Sequence, residues 1–134
     1  TFRERFEVHE GYSYTTLPSW VPATAANGTL CDVLLVDGGH SQAAARIDMQ
    51  LLRPAARPGA KVVVDDINVE PGFALHRLER EKALRIPEYY AFKKKSEHNP
   101  CQRKPKGRTF PCRDWGFAVA EYVGRELPES ARGK

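Results

Sequence analysis

Short apolar runs that stop at polar, glycine-containing turns are the main pattern of this chain. Residues 31–36, CDVLLV, form a near-continuous apolar run that ends at Asp37-Gly38-Gly39. Residues 61–64, KVVV, form a second run that ends at Asp65-Asp66. Runs of this length between turn residues are typical of strands that are buried on both faces. We therefore predict two buried strands, each followed directly by acidic residues.

Helical spacing follows each of these runs. From Ser41 to Leu52 the apolar residues fall three and four positions apart, and Ser41 stands where a helix cap is expected. Residues 72–85 are rich in Leu, Glu, Arg and Lys and predict a second helix. Pro58-Gly59 is predicted to end the connection into the second strand. This alternation predicts an α/β class in which parallel strands are joined by a crossover helix.

The segments before residue 31 and after residue 85 predict further elements from weaker sequence patterns. Residues 6–8 predict the end of a strand, residues 15–20 a short helix that stops before Pro22, and residues 23–29 a loop with an Asn-Gly turn. Residues 88–93 and 116–123 are aromatic and β-branched and predict two later strands, paired antiparallel across the loop 94–115. The sheet is therefore expected to be mostly parallel, with an antiparallel C-terminal hairpin.

Composition narrows the class of protein. The 134 residues suit one domain, and 41% hydrophobic residues suit a folded globule. No apolar run approaches the roughly 20 residues of a membrane helix, and no signal-peptide pattern opens the chain. We expect a soluble protein without membrane contact, cytoplasmic if no signal lies upstream of Thr1.

The mild net charge of +4 comes mainly from local basic stretches. The most basic of these, residues 93–108, leaves a nucleic-acid-binding module as an alternative function, although such a run is more often a solvated loop. The three cysteines contain no CxxC pair, which argues against a thiolate zinc site. Cys31 is expected to be buried, whereas Cys101 and Cys112 either pair in an oxidising compartment or stay free thiols.

The acidic strand ends are the candidate site. Ligands of open α/β sheets bind outside the carboxyl ends of the strands, where Asp37, Asp65 and Asp66 would converge. Carboxylates at close range repel unless a cation joins them, and oxygen ligands favour a hard cation such as Mg²⁺. The alternative is that these acids only cap the turns that follow the strands.

His40 follows Asp37 by three residues and is expected at the same edge. Imidazole titrates near neutral pH, so His40 is either a general base or a residue that only hydrogen-bonds locally. Gly38-Gly39 permits close approach of the backbone, but no glycine-rich phosphate-binding motif occurs in the chain.

The segment CDVLLVDGGHSQAAARIDMQLLRPAARPGAKVVVDDI, residues 31–67, resembles the second half of class I S-adenosylmethionine-dependent methyltransferases. It is most similar to small metal-dependent O-methyltransferase-like families, and the final RDWGFAVAEYV resembles the last strand of such domains. The positions that fill the family pattern are Asp32, Asp37, Gly38, His40, Asp48, Leu52, Pro58, Gly59, Asp65 and Asp66.

The resemblance implies a Rossmann-like sheet and a set of roles at its edge. Asp37 with Asp65 and Asp66 would hold Mg²⁺, and Asp37 would also serve catalysis and the cofactor. His40 stands where the catechol O-methyltransferase-like enzymes carry their base. Gly11, Tyr12 and Ser13 match the turn that contacts the adenine of S-adenosylmethionine, with Tyr12 in place of the usual acid.

The resemblance also implies that the chain begins at about the family's third strand. Residues 1–124 are accordingly predicted to be a partial methyltransferase domain, and residues 125–134 a polar tail. The expected activity is metal-assisted O-methylation of a small hydroxylated substrate. The alternative is a non-catalytic methyltransferase-like fragment, which binds or assembles with the missing N-terminal half of the domain or with an oligomer partner.

Overall fold

The computed structural model describes residues 6–92 and 115–124. Over these residues the chain forms three α-helices and four strands, with a 3₁₀ turn at Arg53–Ala55. In chain order the elements are α1 (Ser13–Ala26), β1 (Cys31–Val36), α2 (Gln42–Leu52), β2 (Ala56–Val64), α3 (Glu70–Arg80), β3 (Leu84–Phe92) and β4 (Trp115–Tyr122).

The four strands form one sheet in the order β1-β2-β4-β3. β1 and β2 are parallel neighbours joined by α2, while β4 is antiparallel to both β2 and β3. Three of the four strands therefore run in one direction, and the C-terminal pair is antiparallel. The predicted α/β class, the parallel pair and the antiparallel pair are confirmed, and the mixed sheet is consistent with a Rossmann-like fold.

The core lies between one face of the sheet and the helices α2 and α3. Alternate residues of β1 and β2 point into it, and the small residues Ala118 and Ala120 of β4 complete the sheet side. On the helix side the largest buried residues are Met49 of α2 and Leu75 of α3. Ser41 begins α2 as predicted, because its hydroxyl accepts the backbone N–H of Ala44 at 3.1 Å.

β1 has the predicted bounds but not the predicted burial. Leu34 and Val36 lie in the core, whereas Val33 and Leu35 are each 63% exposed. In the described part of the chain α2 and α3 share the core face, and α1 packs against α2 rather than on the opposite face. The prediction that β1 is buried on both faces is therefore wrong.

The N-terminal predictions also need correction. Residues 6–10 form no strand, and α1 covers Ser13–Ala26 instead of residues 15–20. The helix continues through Pro18 and Pro22, which each lack the N–H of a helical hydrogen bond. Packing against α2 and the 3₁₀ turn, with Val21 buried, holds this proline-containing helix together. Of the predicted loop 23–29, the Asn27-Gly28 turn remains.

Further boundaries differ from the predicted ones, most of all those of β2, α3 and β3. β2 begins at Ala56, so Pro58-Gly59 lies within the strand, in a bulge between the pairs Cys31↔Ala56 and Val33↔Lys61. α3 ends at Arg80 instead of residue 85, because the buried Leu84 begins β3. Both differences arise where pairing in the sheet overrides the local pattern.

None of the helices among the described residues is long and apolar enough to cross a membrane. Cys31 is a free, partly buried cysteine. The basic stretch 93–108, the pair Cys101 and Cys112, and the tail 125–134 lie outside the described residues. The predictions made for them stay predictions.

Candidate active site at the carboxyl edge of the sheet

The acidic residues that follow β1 and β2 leave the sheet from neighbouring positions. Val36 and Val64, the last residues of the two strands, are partners in the parallel pairing. The pairing extends one step further, since the N–H of Asp65 donates to the carbonyl of Val36 at 3.0 Å. Asp37 and Asp65-Asp66 therefore leave the sheet at the same edge, as the sequence predicted from the parallel arrangement.

The turn after β2 is held in an uncommon conformation. Asp66 has φ of 53°, in the left-handed region that few residues other than glycine adopt. Its neighbour Ile67 donates its N–H to the carbonyl of Gly116 at 3.1 Å, which ties the turn to β4. A Cβ at Gly72 would lie 1.8 Å from the carbonyl oxygen of Ile67, so only glycine lets α3 approach this closely. Strand pairing and helix packing together fix where Asp66 points.

The side chains of His40 and Asp66 lie within hydrogen-bonding distance across the edge. The Nε2 atom of His40 lies 3.2 Å from Oδ2 of Asp66, and the two side chains are 65% and 28% exposed. When Nε2–H donates to the carboxylate, the Nδ1 atom keeps a free lone pair. The arrangement therefore presents a solvent-accessible proton acceptor whose tautomer is set by an acidic partner.

A small cavity lies between the strand ends. The candidate residues Asp37, His40, Asp65 and Asp66 line it, together with the Gly38-Gly39 backbone. Its volume of about 10 Å³ is enough for one water molecule. The structure thus brings the three predicted acids and the predicted base to one cavity, which is too small to enclose a cofactor.

These acids are not arranged as a metal centre. Among residues 6–92 and 115–124, no group of three His, Cys, Asp or Glu side chains is placed to hold a metal ion. Carboxylate oxygens are the donors that Mg²⁺ prefers, so the chemistry of the set is suitable while its geometry is not. The predicted Mg²⁺ site stays a prediction, and it requires these side chains to turn.

Gly11, Tyr12 and Ser13 lie at the beginning of α1. Gly11 has φ of 130°, Tyr12 is the N-cap residue and Ser13 opens the helix. The ring of Tyr12 is exposed and stacks on that of Tyr14, with 5.2 Å between the centroids. None of these three residues lines the small cavity, whereas Asp37, the fourth predicted cofactor residue, does. An exposed aromatic pair offers a surface on which a planar base could stack.

Two buried polar groups near this edge received no role from the sequence, although Asp48 is one of the positions that fill the family pattern. Asp48 of α2 is 5% exposed, and its Oδ1 atom has no hydrogen-bond partner among the described residues. The Nδ2 atom of Asn68, two residues beyond Asp66, is likewise buried and without a partner in the described structure. The signal for Asp48 was a carboxylate in the apolar series of α2, whereas nothing in the pattern indicated Asn68.

A larger cavity, of about 250 Å³, lies at the opposite end of the sheet. It is bounded by the end of α2, the beginning of β3 and the end of β4, where Arg53 and Tyr122 line it. None of the predicted site residues contributes to it. We place the candidate site at the smaller cavity, because ligands of such sheets bind at the carboxyl edge and the candidate acid and base residues lie there.

The perturbed carboxylates also lie away from the candidate site. Hydrogen bonds from Lys61 and then Arg85 hold the pKa of the Glu121 carboxyl below its ordinary value. Hydrogen bonds from Arg46 and then Arg77 do the same for the pKa of Glu81. Neither glutamate lines the small cavity. Ion pairs of this kind link strands and helices and account for these shifts without a catalytic role.

Comparison with known proteins gives one match. A family model described as a methyltransferase domain matches residues 1–67, which is half of the chain and includes both acidic strand ends. No curated protein and no solved structure matches the chain.

Proposed function

The chain belongs to the family of methyltransferase domains, and on that premise we propose that it methylates a hydroxyl oxygen of a small substrate with S-adenosylmethionine as donor. The observation that carries this proposal is the pair of His40 and Asp66 at the carboxyl edge, 3.2 Å apart. It supplies a proton acceptor with a fixed tautomer at the place where ligands bind in sheets of this kind.

The proposed chemistry is a displacement at the methyl carbon. S-adenosylmethionine supplies a methyl group on a positively charged sulfur, and the S–CH₃ electron pair stays on sulfur as the O–CH₃ bond forms. The Nδ1 atom of His40 takes the proton of the substrate hydroxyl. Asp66 accepts the Nε2–H of the ring and stabilises the imidazolium that results, as an acidic partner does in catalytic triads.

The charge of the edge suits a cationic donor. Asp37, Asp65 and Asp66 place three carboxylates around one cavity, and His40 offsets at most one of them. Such an edge attracts the sulfonium and ammonium groups of S-adenosylmethionine. We assign Asp37 to that part of the donor and, following the family resemblance, Gly11, Tyr12 and Ser13 to its adenine.

Metal assistance is the less supported part of the proposal. The oxygen-only donor set of Asp37, Asp65 and Asp66 favours Mg²⁺, but the described side chains do not form a metal-holding group. We therefore derive no step from a metal. The base described above operates without one.

The test is methyl transfer by the full-length polypeptide that carries these residues. The donor is S-adenosylmethionine with a labelled methyl group, and the acceptors are a panel of catechols, sugars and simple diols. His40→Ala should lower kcat by roughly 10²- to 10⁴-fold, the usual contribution of a general base, with little change in donor affinity.

The matched control is His76→Ala. His76 also pairs with a carboxylate, since its Nδ1 atom lies 3.4 Å from Glu79, but it does not line the small cavity. This variant should keep normal turnover. If His40→Ala transfers methyl groups as fast as the His76 control, His40 is not the base and the proposed mechanism is wrong.

A second candidate function is binding of a partner or assembly without catalysis. The observation that favours it is the small cavity, whose volume of about 10 Å³ does not enclose even the donor. Under this alternative the full-length polypeptide gives no binding heat with S-adenosylmethionine in calorimetry and transfers no label to any acceptor of the panel. Labelled product with any acceptor excludes it.

A further inference from the structure

We propose that Asp48 is a positioning residue for the segment 37–40. Its buried carboxylate accepts hydrogen bonds from the backbone N–H groups of Gly38 and Gly39, and this anchors the segment that carries Asp37 and His40. The proposal rests on the proposed function only in assigning residues 37–40 a role in methyl transfer. The contact itself is a structural claim that can be tested without substrate.

The Asp48 carboxylate is buried without a hydrogen-bond partner in the described part of the chain. The side chain is 5% exposed, and its Oδ1 atom is shielded from solvent and has no partner among the described residues. A buried polar group without a hydrogen bond destabilises the folded state, and a charged one destabilises it more. Native proteins satisfy nearly all such groups, so Asp48 requires donors.

The cationic side chains of α2 and of the turn after it already have partners. Arg46, two residues before Asp48, donates to both carboxylate oxygens of Glu81 at 3.0 and 2.9 Å. Arg53 donates to the carbonyl of Val123 at 3.0 Å and lies over the ring of Tyr122. A side-chain ion pair with either arginine would break these contacts, which leaves backbone donors.

The backbone at Gly38 lies beside the carboxylate. A Cβ at Gly38 would lie only 3.3 Å from the Oδ2 atom of Asp48, so the segment after β1 passes directly over this side chain. The N–H groups of Gly38, Gly39 and His40 donate to no described residue. Gly38 is thus adjacent to the acceptor, and a turn of the Gly38-Gly39 peptides toward Asp48 would give the carboxylate its donors.

The chemistry of the contact distinguishes two variants with the same branched side-chain skeleton. Asp48→Asn keeps a carbonyl oxygen that accepts hydrogen bonds, whereas Asp48→Leu replaces both oxygens by larger methyl groups and accepts none. If Asp48 acts as a hydrogen-bond acceptor, the first variant should preserve the segment and the second should release it. If Asp48 only fills space, both variants should behave alike.

The experiment is amide hydrogen exchange of residues 37–41, followed by NMR in the full-length polypeptide without substrate. Asp48→Leu should lower the protection of the Gly38 and Gly39 amides by roughly tenfold or more, which corresponds to losing one hydrogen bond to a charged group. Asp48→Asn should stay within about threefold of the unmodified protein. The control is Asp32→Asn, which removes an exposed acid paired with Arg57 and should leave both amides unchanged.

Gly38→Ala provides a second route if Asp48→Leu does not fold. The added Cβ, 3.3 Å from Asp48 Oδ2, should push the segment away and lower the same protection, but not in an Asp48→Ala background where the carboxylate is absent. Equal effects of Gly38→Ala in both backgrounds, or unchanged protection in Asp48→Leu, overturn the proposal. Neither result depends on methyl transfer, so failure of the proposed function would not be mistaken for failure of this contact.

Discussion

The catalytic proposal depends at the residue scale on how Asp66 is held. The sequence located Asp66 at a strand end and His40 three residues after Asp37, but it did not indicate that these two side chains pair. The pairing follows from the left-handed backbone of Asp66, φ 53°, and from the close approach of α3 at Gly72. Both are tertiary features that a single sequence does not encode in any local pattern.

Replacing Asp66 by glycine separates backbone conformation from side-chain function. Glycine adopts positive φ without strain, so Asp66→Gly should leave the free energy of unfolding unchanged or raise it by up to about 1 kcal/mol. Turnover should fall at least about tenfold, because the partner that orients His40 is removed.

The matched control is Lys82→Gly at φ of 58°, which relieves a similar backbone conformation in the turn between α3 and β3. Urea unfolding and the methyl-transfer assay on both variants provide the comparison. The control should be at least as stable as the unmodified protein and fully active. Equal turnover in the two variants would contradict the role given to Asp66.

The sequence made the position of Asp48 visible but did not indicate its role. A carboxylate in the apolar series of α2 was visible in the sequence, and the structure shows it 95% buried beside the Gly38 backbone. Its purpose could not be predicted, since the backbone that it approaches, at Gly38, lies ten residues earlier in the chain. Asn68 gave no signal at all, because its burial depends on β4, far along the chain.

At the scale of single elements, the sequence predicted which helices and strands form better than it predicted how their faces are buried. The bounds of β1 are those of the apolar run, and Ser41 caps α2 as predicted. The same apolar run could not show that Val33 and Leu35 are exposed, because burial on a second face requires a second layer. In α1 the opposite holds. Two prolines predict from local sequence that the helix ends, but packing maintains it through both of them.

The one-sided burial of β1 predicts different costs for two adjacent leucines. Leu34→Ala removes a side chain that is 5% exposed in the core and should lower the free energy of unfolding by about 2–4 kcal/mol. Leu35→Ala, on the open face, should cost less than about 1 kcal/mol. Denaturant titration of both variants measures this, and equal large losses would show that the open face is covered in the protein in solution.

At the scale of the whole molecule, the sequence predicted the relative directions of the strands but not their order in the sheet. The parallel pair of β1 and β2 and the antiparallel pair of β3 and β4 follow from connection lengths and composition. The insertion of β4 between β2 and β3 does not, since hydrophobic periodicity carries no information on neighbours in a sheet. That insertion brings Gly116 to the turn at Ile67 and so contributes to the candidate site.

The central claim is that the donor binds at the carboxyl edge of the sheet, beside Asp37 and His40. The most direct test is an NMR titration of the ¹⁵N-labelled full-length polypeptide with S-adenosylmethionine, read as chemical-shift changes for each backbone amide. The account predicts that the largest changes fall on residues 37–40 and 65–68, with further changes at residues 11–13. Saturable changes confined to the cavity of Arg53 and Tyr122 at the opposite end of the sheet, or no changes at all, would contradict it.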